Sequence, residues 1–387
     1  MKRTFYIPYS FLSSLLCAML LWGAQAGAAS ARERPSVAFI NPGKIGEVFW
    51  DMVSDSMRAA AKQLDVDVEI VYAERNPRIL RELGFAIVGR ASPPDYLIIV
   101  NEEAAAAPVV EAANTAGIKT LLLAKVFTGA EAEKYGAPRA ILRNWIGSLV
   151  PDMNSAGARM AQALVDDGYR NKRVSADGKL HLLALGGDER TQNSIARTEG
   201  FTSIVESRPD VVVDRKLFAN WNVAEAKTLA GRYLGWARRA GIRPAGIWAA
   251  NDSIAIGAIQ AIEKHGLTPG GDIGVVGLNW SPEALDEVKA GRMIMTDGGH
   301  FFAGGWSMVM IRDHADGCDF AEEGTARSFP LASIDQSNVS NVAGLIGGRR
   351  FDRIRFESFL AAPNGQCGHY DFSLSALLRA AGMLAAR

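Results

Sequence analysis

At 387 residues the chain is too long for one ordinary hydrophobic core, and two domains are expected. Its 42 Lys and Arg residues match its 42 Asp and Glu residues, and the two signs are interspersed. That balance excludes the basic stripe of a nucleic-acid surface and the cationic face of a membrane-binding helix, so the expected partner is a small molecule that is not polyanionic.

Lys2 and Arg3 precede a mostly apolar stretch at 11–22, followed by the small-residue sites Ala24-Gln25-Ala26 and Ala29-Ser30-Ala31. This order predicts a secretory signal peptide over 1–31. Leu15 and Leu16 stand before Cys17, where a lipid-anchored protein needs small residues. No later stretch has the length and apolarity of a membrane span, so the mature protein is expected to be soluble outside the cytoplasm. Of three cysteines, Cys318 and Cys367 remain after cleavage. In an oxidising compartment they predict a disulfide, with two buried thiols as the alternative. A closed loop of about 50 residues contributes roughly 4 kcal/mol in the chain-entropy model. Neither cysteine sits in a CxxC or beside an HExxH, so no metal is expected.

From Ser36 onward the chain alternates strand and helix signals. A strand is predicted at 37–41, then a helix whose buried face is Val53, Met57, Ala60 and Leu64. Val66, Val68, Ile70 and Tyr72 alternate as a strand, Ile79, Leu80, Leu83 and Ile87 mark a second helix, and 96–100 is a buried strand. A helix opened by Pro108 and a strand at 120–124 follow. Such alternation with short connections means a parallel sheet wound right-handed. Between 125 and 150, with Gly129, Gly136 and Pro138, the period is lost, and this stretch reads as a crossing between lobes.

The alternation restarts with helices at 154–166, 193–206 and 223–240 and strands at 180–185 and 211–218. Residues 247–279 form a complete βαβ unit. An apolar strand at 247–250 leads to Asp252 as helix N-cap. Ile254, Ala258, Ala261 and Ile262 then share one helical face, Gly266 ends the helix, Pro269-Gly270-Gly271 turn the chain, and 273–278 is apolar throughout. Asn251 and Asn279 stand at the carboxyl ends of its strands, the edge where open α/β sheets bind ligands. A short helix at 282–290, a strand at 293–296, a glycine-rich segment at 297–305 and a helix at 302–315 complete the body. A final amphipathic helix is expected at 374–384.

Several motifs occur in a telling order: NP after the first strand, RTEGF at 197–201, ANW at 219–221, ND at Asn251 and Asp252, and VVGLN at 275–279. In this arrangement the chain, over roughly 36–315, resembles the type I periplasmic sugar-binding proteins, related in fold to the ligand domains of LacI-type repressors. The resemblance implies an α/β fold of two similar lobes, each a parallel sheet flanked by helices, joined by a hinge of three crossings. Lobe 1 is expected to comprise 36–125 and 281–297, lobe 2 to comprise 146–279 and 300–332, and 333–387 to be an extension docked on the body.

It also implies a sugar in the interlobe cleft, a periplasmic location, no cofactor, and an ABC permease or a membrane sensor as partner of a monomer. By position the ligand set is Asn41, Phe49, Trp50, Arg197, Trp221, Asn251 and Asn279, with Lys125 and His300 beside them. Arg and Asn offer paired donors to hydroxyls, and aromatic rings stack on the C–H faces of a sugar. The chain departs from the family where Ala124 and Lys125 replace an acidic residue and its neighbour, Asn279 replaces an aspartate, and Gly299 and His300 stand where a glutamine is usual. These departures lower the negative charge of the cleft and predict an anionic or modified sugar. No GxSxG elbow, phosphate loop or dinucleotide fingerprint is present, and no enzyme is expected.

Overall fold

The first strand, β1 (Ser36–Asn41), is covered on both faces because its alternate residues enter two different cores. Val37 and Phe39 join one and Ala38 and Ile40 the other. The computed structural model that shows this describes Met1, residues 34–362 and residues 367–384, so the expected signal peptide, Met1 apart, lies outside the described residues. From Pro35 onward the chain forms one compact unit. Beside β1 lie β2 (Asp67–Tyr72), β3 (Tyr96–Ile99), β4 (Lys119–Leu123) and β5 (Trp145–Pro151), all parallel. Helix α1 (Val48–Gln63) covers one face of this sheet, and α2 (Pro77–Val88) and α3 (Ala107–Thr115) cover the other; the short α4 (Ala130–Tyr135) follows β4.

The second sheet is built in the same way from β6 (Leu180–Gly186), β7 (Val211–Phe218), β8 (Pro244–Ala249), β9 (Gly274–Leu278) and β10 (Met295–Gly298). Its helices are α5 (Met153–Arg170), α6 (Gln192–Glu206), α7 (Val223–Ala240), α8 (Asp252–Lys264) and α9 (Pro282–Lys289). Helix α10 (Ala303–Ala315) and strands β11 (Ala326–Phe329) and β12 (Ala332–Asp335) follow. The sheet orders are β11-β5-β4-β3-β1-β2 and β12-β10-β9-β8-β6-β7. Strand order therefore reverses between β1 and β3 and between β6 and β8, and the crevices at those switch points open at the carboxyl ends of the strands. The two α/β lobes and their parallel sheets are as the sequence predicts.

Several assignments need correction. The stretch 125–150 is not only a crossing, since it contains α4 and β5, and β5 extends the first sheet. Segment 281–297 does not return to lobe 1, because β10 continues the parallel ladder beside β9. Segment 300–332 does not belong to lobe 2: α10 packs against α1, and β11 pairs with β5. The reason is common to all three. A buried strand goes where a parallel neighbour satisfies its backbone, and periodicity alone does not say which sheet offers one. Asp252 is not the N-cap of α8; Asn251 is, its side chain accepting from the backbone N–H of Ile254 at 2.9 Å.

The chain passes between lobes after β5, after β10 and between β11 and β12. It then passes a fourth time. Strand β12 pairs antiparallel with β10, and α11 (Val339–Ile346) packs on α9, both in lobe 2. Beyond Arg350 the extension lies on lobe 1. Phe351 packs against Phe301 and Phe302, Gln63 of α1 bonds the backbone of Ile354 and Phe356, and Phe372 stacks on Trp306 at 4.8 Å. Cys318 and Cys367 are joined with their Cα atoms 5.6 Å apart, which fastens the extension to the end of α10. The terminal helix is α12 (Leu374–Ala380), shorter than expected.

Helices α5 and α6 touch backbone to backbone. A Cβ on Gly157 would collide with the carbonyl of Arg197, and one on Gly200 with the carbonyl of Asn154. This contact sets where Arg197 emerges from α6. Gly200→Ala should force the helices apart and lower the unfolding free energy by about 1–3 kcal/mol in urea denaturation. A loss below about 0.5 kcal/mol would show that the pair separates freely.

Candidate ligand-binding cleft

Between the carboxyl ends of the two sheets lies a cavity of about 940 Å³, walled by residues of both lobes. Of the residues expected from sequence, Phe49, Trp50, Lys125, Arg197, Trp221, Asn251, Asn279 and His300 all line it. Asn41 does not. It is buried beneath the wall, where its Nδ2 donates to the Trp50 carbonyl at 3.1 Å and to Ser54 Oγ at 2.9 Å, and its Oδ1 accepts from Gly43 N–H at 2.8 Å. Both amide protons are used in holding the start of α1 against β1, so its role is to aim Phe49 and Trp50.

Arg197 is the central group of lobe 2. It is 4% exposed; Nη1 donates to the Ala250 carbonyl at 2.8 Å, Nε contacts Met153 Sδ at 3.1 Å, and the guanidinium lies 5.6 Å from the Trp221 ring centre. Burial pushes its pKa down to about 10, against the pull of Asp297 and Asp252, so it stays cationic at neutral pH. Trp221 is held edge and face. Its Nε1 donates to Asp188 Oδ2 at 2.7 Å, and its ring lies where a Cβ on Gly187 would be. Burial would raise Asp188, but bonds from Thr191, Arg190 and Trp221 hold it below the usual carboxylate range. Asn220 and Trp221 both have positive φ, at 46° and 59°, the strain of turning an aromatic ring back over the strand end.

Asn251 spends its Oδ1 on the helix cap, and the described bonds leave its Nδ2 to the cavity. Asn279 is positioned through its backbone N–H, which donates to the Asp297 carbonyl at 2.8 Å. His300, in the second crossing, stacks on Phe49 at 4.5 Å with planes 28° apart. Its Nδ1 is buried with no hydrogen-bond partner among the described residues. Burial, then the charge of Arg197, hold its pKa well below the ordinary value, so the ring is a neutral donor and acceptor.

Lobe 1 adds groups that the sequence reading missed. Lys125 Nζ lies 2.7 Å from Glu102 Oε2, Arg75 Nη1 lies 3.3 Å from Glu102 Oε1, and Arg75 also pairs with Glu47. Lys125 is therefore paired with a carboxylate, and the cleft holds acidic groups that the sequence reading did not count. Glu47, Glu102, Glu103, Asp252 and Glu283 line the cavity against Arg75, Lys125 and Arg197, five carboxylates to three cations. The available signal was the acidic pair Glu102-Glu103 just past the end of a buried strand, at the sheet's ligand edge.

The sequence pattern of the periplasmic binding protein domain matches residues 37–317. The chain belongs to this family. A solved structure of a periplasmic sugar-binding protein from Pseudomonas fluorescens is similar, at 31% identity and a TM-score of 0.77, covering 89% of this chain and all of that one. The D-ribose/D-allose-binding protein of Pseudomonas aeruginosa is 26% identical over 273 residues, 69% of this chain and 78% of that protein. The xylitol-binding protein of Mycolicibacterium smegmatis is 29% identical over 150 residues, and that match spans only 39% of each chain. The family is one of binding proteins.

In this periplasmic binding protein the floor of the cleft under Asn251 is a buried carboxylate. Asp252 is 1% exposed, accepts from Ser281 N–H at 2.8 Å and Thr296 Oγ at 2.7 Å, and so ties α8 to the ends of β9 and β10. Burial pushes its pKa up to about 6 despite those bonds and Arg197. A carboxyl that holds its proton more tightly folded than unfolded withholds stability as it ionises. The cost is absent below its unfolded pKa of about 4, grows as pH rises, and is complete above about 6. Between pH 4 and 7 the unfolding free energy of Asp252→Asn should gain on the parent by about 1–3 kcal/mol in urea denaturation. A difference that does not change with pH would mean that Asp252 ionises as an exposed carboxyl does.

Proposed function

We propose that this chain is the solute-binding protein of an ABC transporter, exported to the periplasm, which takes a sugar or related polyol into the interlobe cleft and presents its closed form to a membrane permease. The observation that carries the reading is the pairing of chemistries across one cavity. Lobe 1 brings the faces of Phe49 and Trp50, and lobe 2 brings the ring of Trp221 with the guanidinium of Arg197 and the amides of Asn251 and Asn279. A sugar ring has apolar C–H faces and an equator of hydroxyls, and these are the two kinds of group that such a wall satisfies. The relatives named for D-ribose and D-allose and for xylitol are named for polyhydroxylated compounds, cyclic in the first case and open-chain in the second. Because the contacts come from both lobes, they are completed only when the lobes meet, and binding energy drives closure.

Xylitol, D-ribose and D-allose form the first thermal-shift panel. A ligand at 100 times its Kd should stabilise the fold by about 2.7 kcal/mol, and small-angle scattering should show a smaller radius of gyration with it bound. No response to any polyhydroxylated probe, sugars and cyclitols included, would remove the proposal. Arg197→Met should weaken the bound sugar about ten- to a hundredfold in calorimetry. A folded variant that binds as the parent does would place the ligand away from this guanidinium.

A further inference from the structure

The ends of β2, β3 and β4 share an unusual feature. Glu74 and Arg75, Glu103 and Ala104, and Ala124 all have φ between 47° and 62°, a left-handed conformation unfavourable for non-glycine residues. Strands β3 and β4 are neighbours, with β1 between β3 and β2, and the charged groups beside these strand ends converge on one carboxylate. Glu102 is 9% exposed and lines the cavity; one oxygen faces Lys125 Nζ at 2.7 Å and the other Arg75 Nη1 at 3.3 Å. Arg75 is shared with Glu47, so the four charges sum to zero. Asn101 fixes the loop, its Nδ2 donating to Glu131 at 2.7 Å and its Oδ1 accepting from Ala106 N–H at 3.1 Å.

From this we infer that Glu102 is a specificity-determining residue, which makes the cleft accept neutral polyols and reject their carboxylate counterparts. Resting on the polyol reading of the cleft, the inference adds which charge state of ligand it takes. Each oxygen of Glu102 has capacity for one more hydrogen bond beyond its cation, and a hydroxyl supplies the proton for it. A sugar acid supplies none at its carboxylate. It would lie against Glu102 with no unpaired cation on this wall, because Lys125 and Arg75 are already engaged, and like charges in a desolvated site cost heavily. Arg197 offers its remaining Nη2 on the opposite wall, within the field of Asp252 and Asp297.

The test uses the mature protein and matched probes, xylitol and D-ribose against D-xylonate and D-ribonate, in calorimetry at pH 7.5. The parent should bind a neutral probe and show no heat with either acid. Glu102→Gln keeps the shape, drops the charge and releases Lys125. It should weaken the neutral probe by about tenfold or more and admit an acid, moving the acid-to-neutral affinity ratio by at least about a hundredfold. Glu102→Gln combined with Lys125→Met should lose the acid again. Lys125→Met alone leaves Glu102 in place and should still reject acids, which keeps the claim testable if Glu102→Gln does not fold. Acid binding by the parent or by Lys125→Met overturns the inference, as does a Glu102→Gln variant with the parent's preferences; in these cases the polyol reading stands if a neutral probe binds the parent. If no neutral probe binds the parent, that reading fails, and the inference with it.

Discussion

The interior of lobe 2 is arranged around the cost of burying the guanidinium of Arg197. A cation taken out of water needs compensation, and here it comes from the Ala250 carbonyl, the face of Trp221, the sulfur of Met153 and the field of Asp252 and Asp297. Asp297 is itself fully buried, with Arg159 bonding both its oxygens at 3.0 Å. Each charge therefore depends on the next. The glycine contact between α5 and α6, the N-cap at Asn251 and the bond from Ser281 to Asp252 all hold members of this set in place. The result is a rigid donor array at the mouth of the second sheet, prepared before any ligand arrives.

Lobe 1 meets the same requirement differently. Its cleft charges are not buried in a core but linked along the strand ends, from Glu47 to Arg75 to Glu102 to Lys125. Its apolar contribution comes from Phe49 and Trp50, aimed by Asn41 from below and backed by His300. One wall offers a neutral set of paired charges with aromatic faces, and the other a cation with amides. The chemistry is complementary across the gap, which gives each wall a use for the other only in the closed arrangement.

Much of this was legible in the sequence because the signals were local. Parallel strands buried on both faces read as continuous apolar runs, and the polar residue that ends such a run lies at the sheet's ligand edge, which pointed to Asn251 and Asn279, whereas Trp221 came from the ANW motif of the family resemblance. Arg197 followed from a family motif. The errors were nonlocal. Nothing in the run 293–296 distinguishes one parallel sheet from the other, and the contact that decides is with β9. The family resemblance places Asn41 in the ligand set by its position, but the Trp50 carbonyl and the Ser54 hydroxyl beneath the wall take its amide protons. Lys125 reads from sequence only as a charge that makes the cleft less negative, because its partner, Glu102, lies 23 positions away on the neighbouring strand end.

The extension that crosses from α11 to Phe351 has a mechanical consequence for a protein that opens and closes. Ile346 is packed on lobe 2 and Phe351 on lobe 1, so five Cα–Cα steps connect them, a span of at most about 18 Å when fully stretched. Gly347 and Gly348 give this tether slack but no extra length. It therefore acts as a stop, setting a maximum gape at its side of the molecule and turning any wider opening into a swing about that edge. A tether of that length removes freedom of separation at its own edge, so such a protein has less conformational entropy to surrender on closing than one whose lobes were joined on the far side alone.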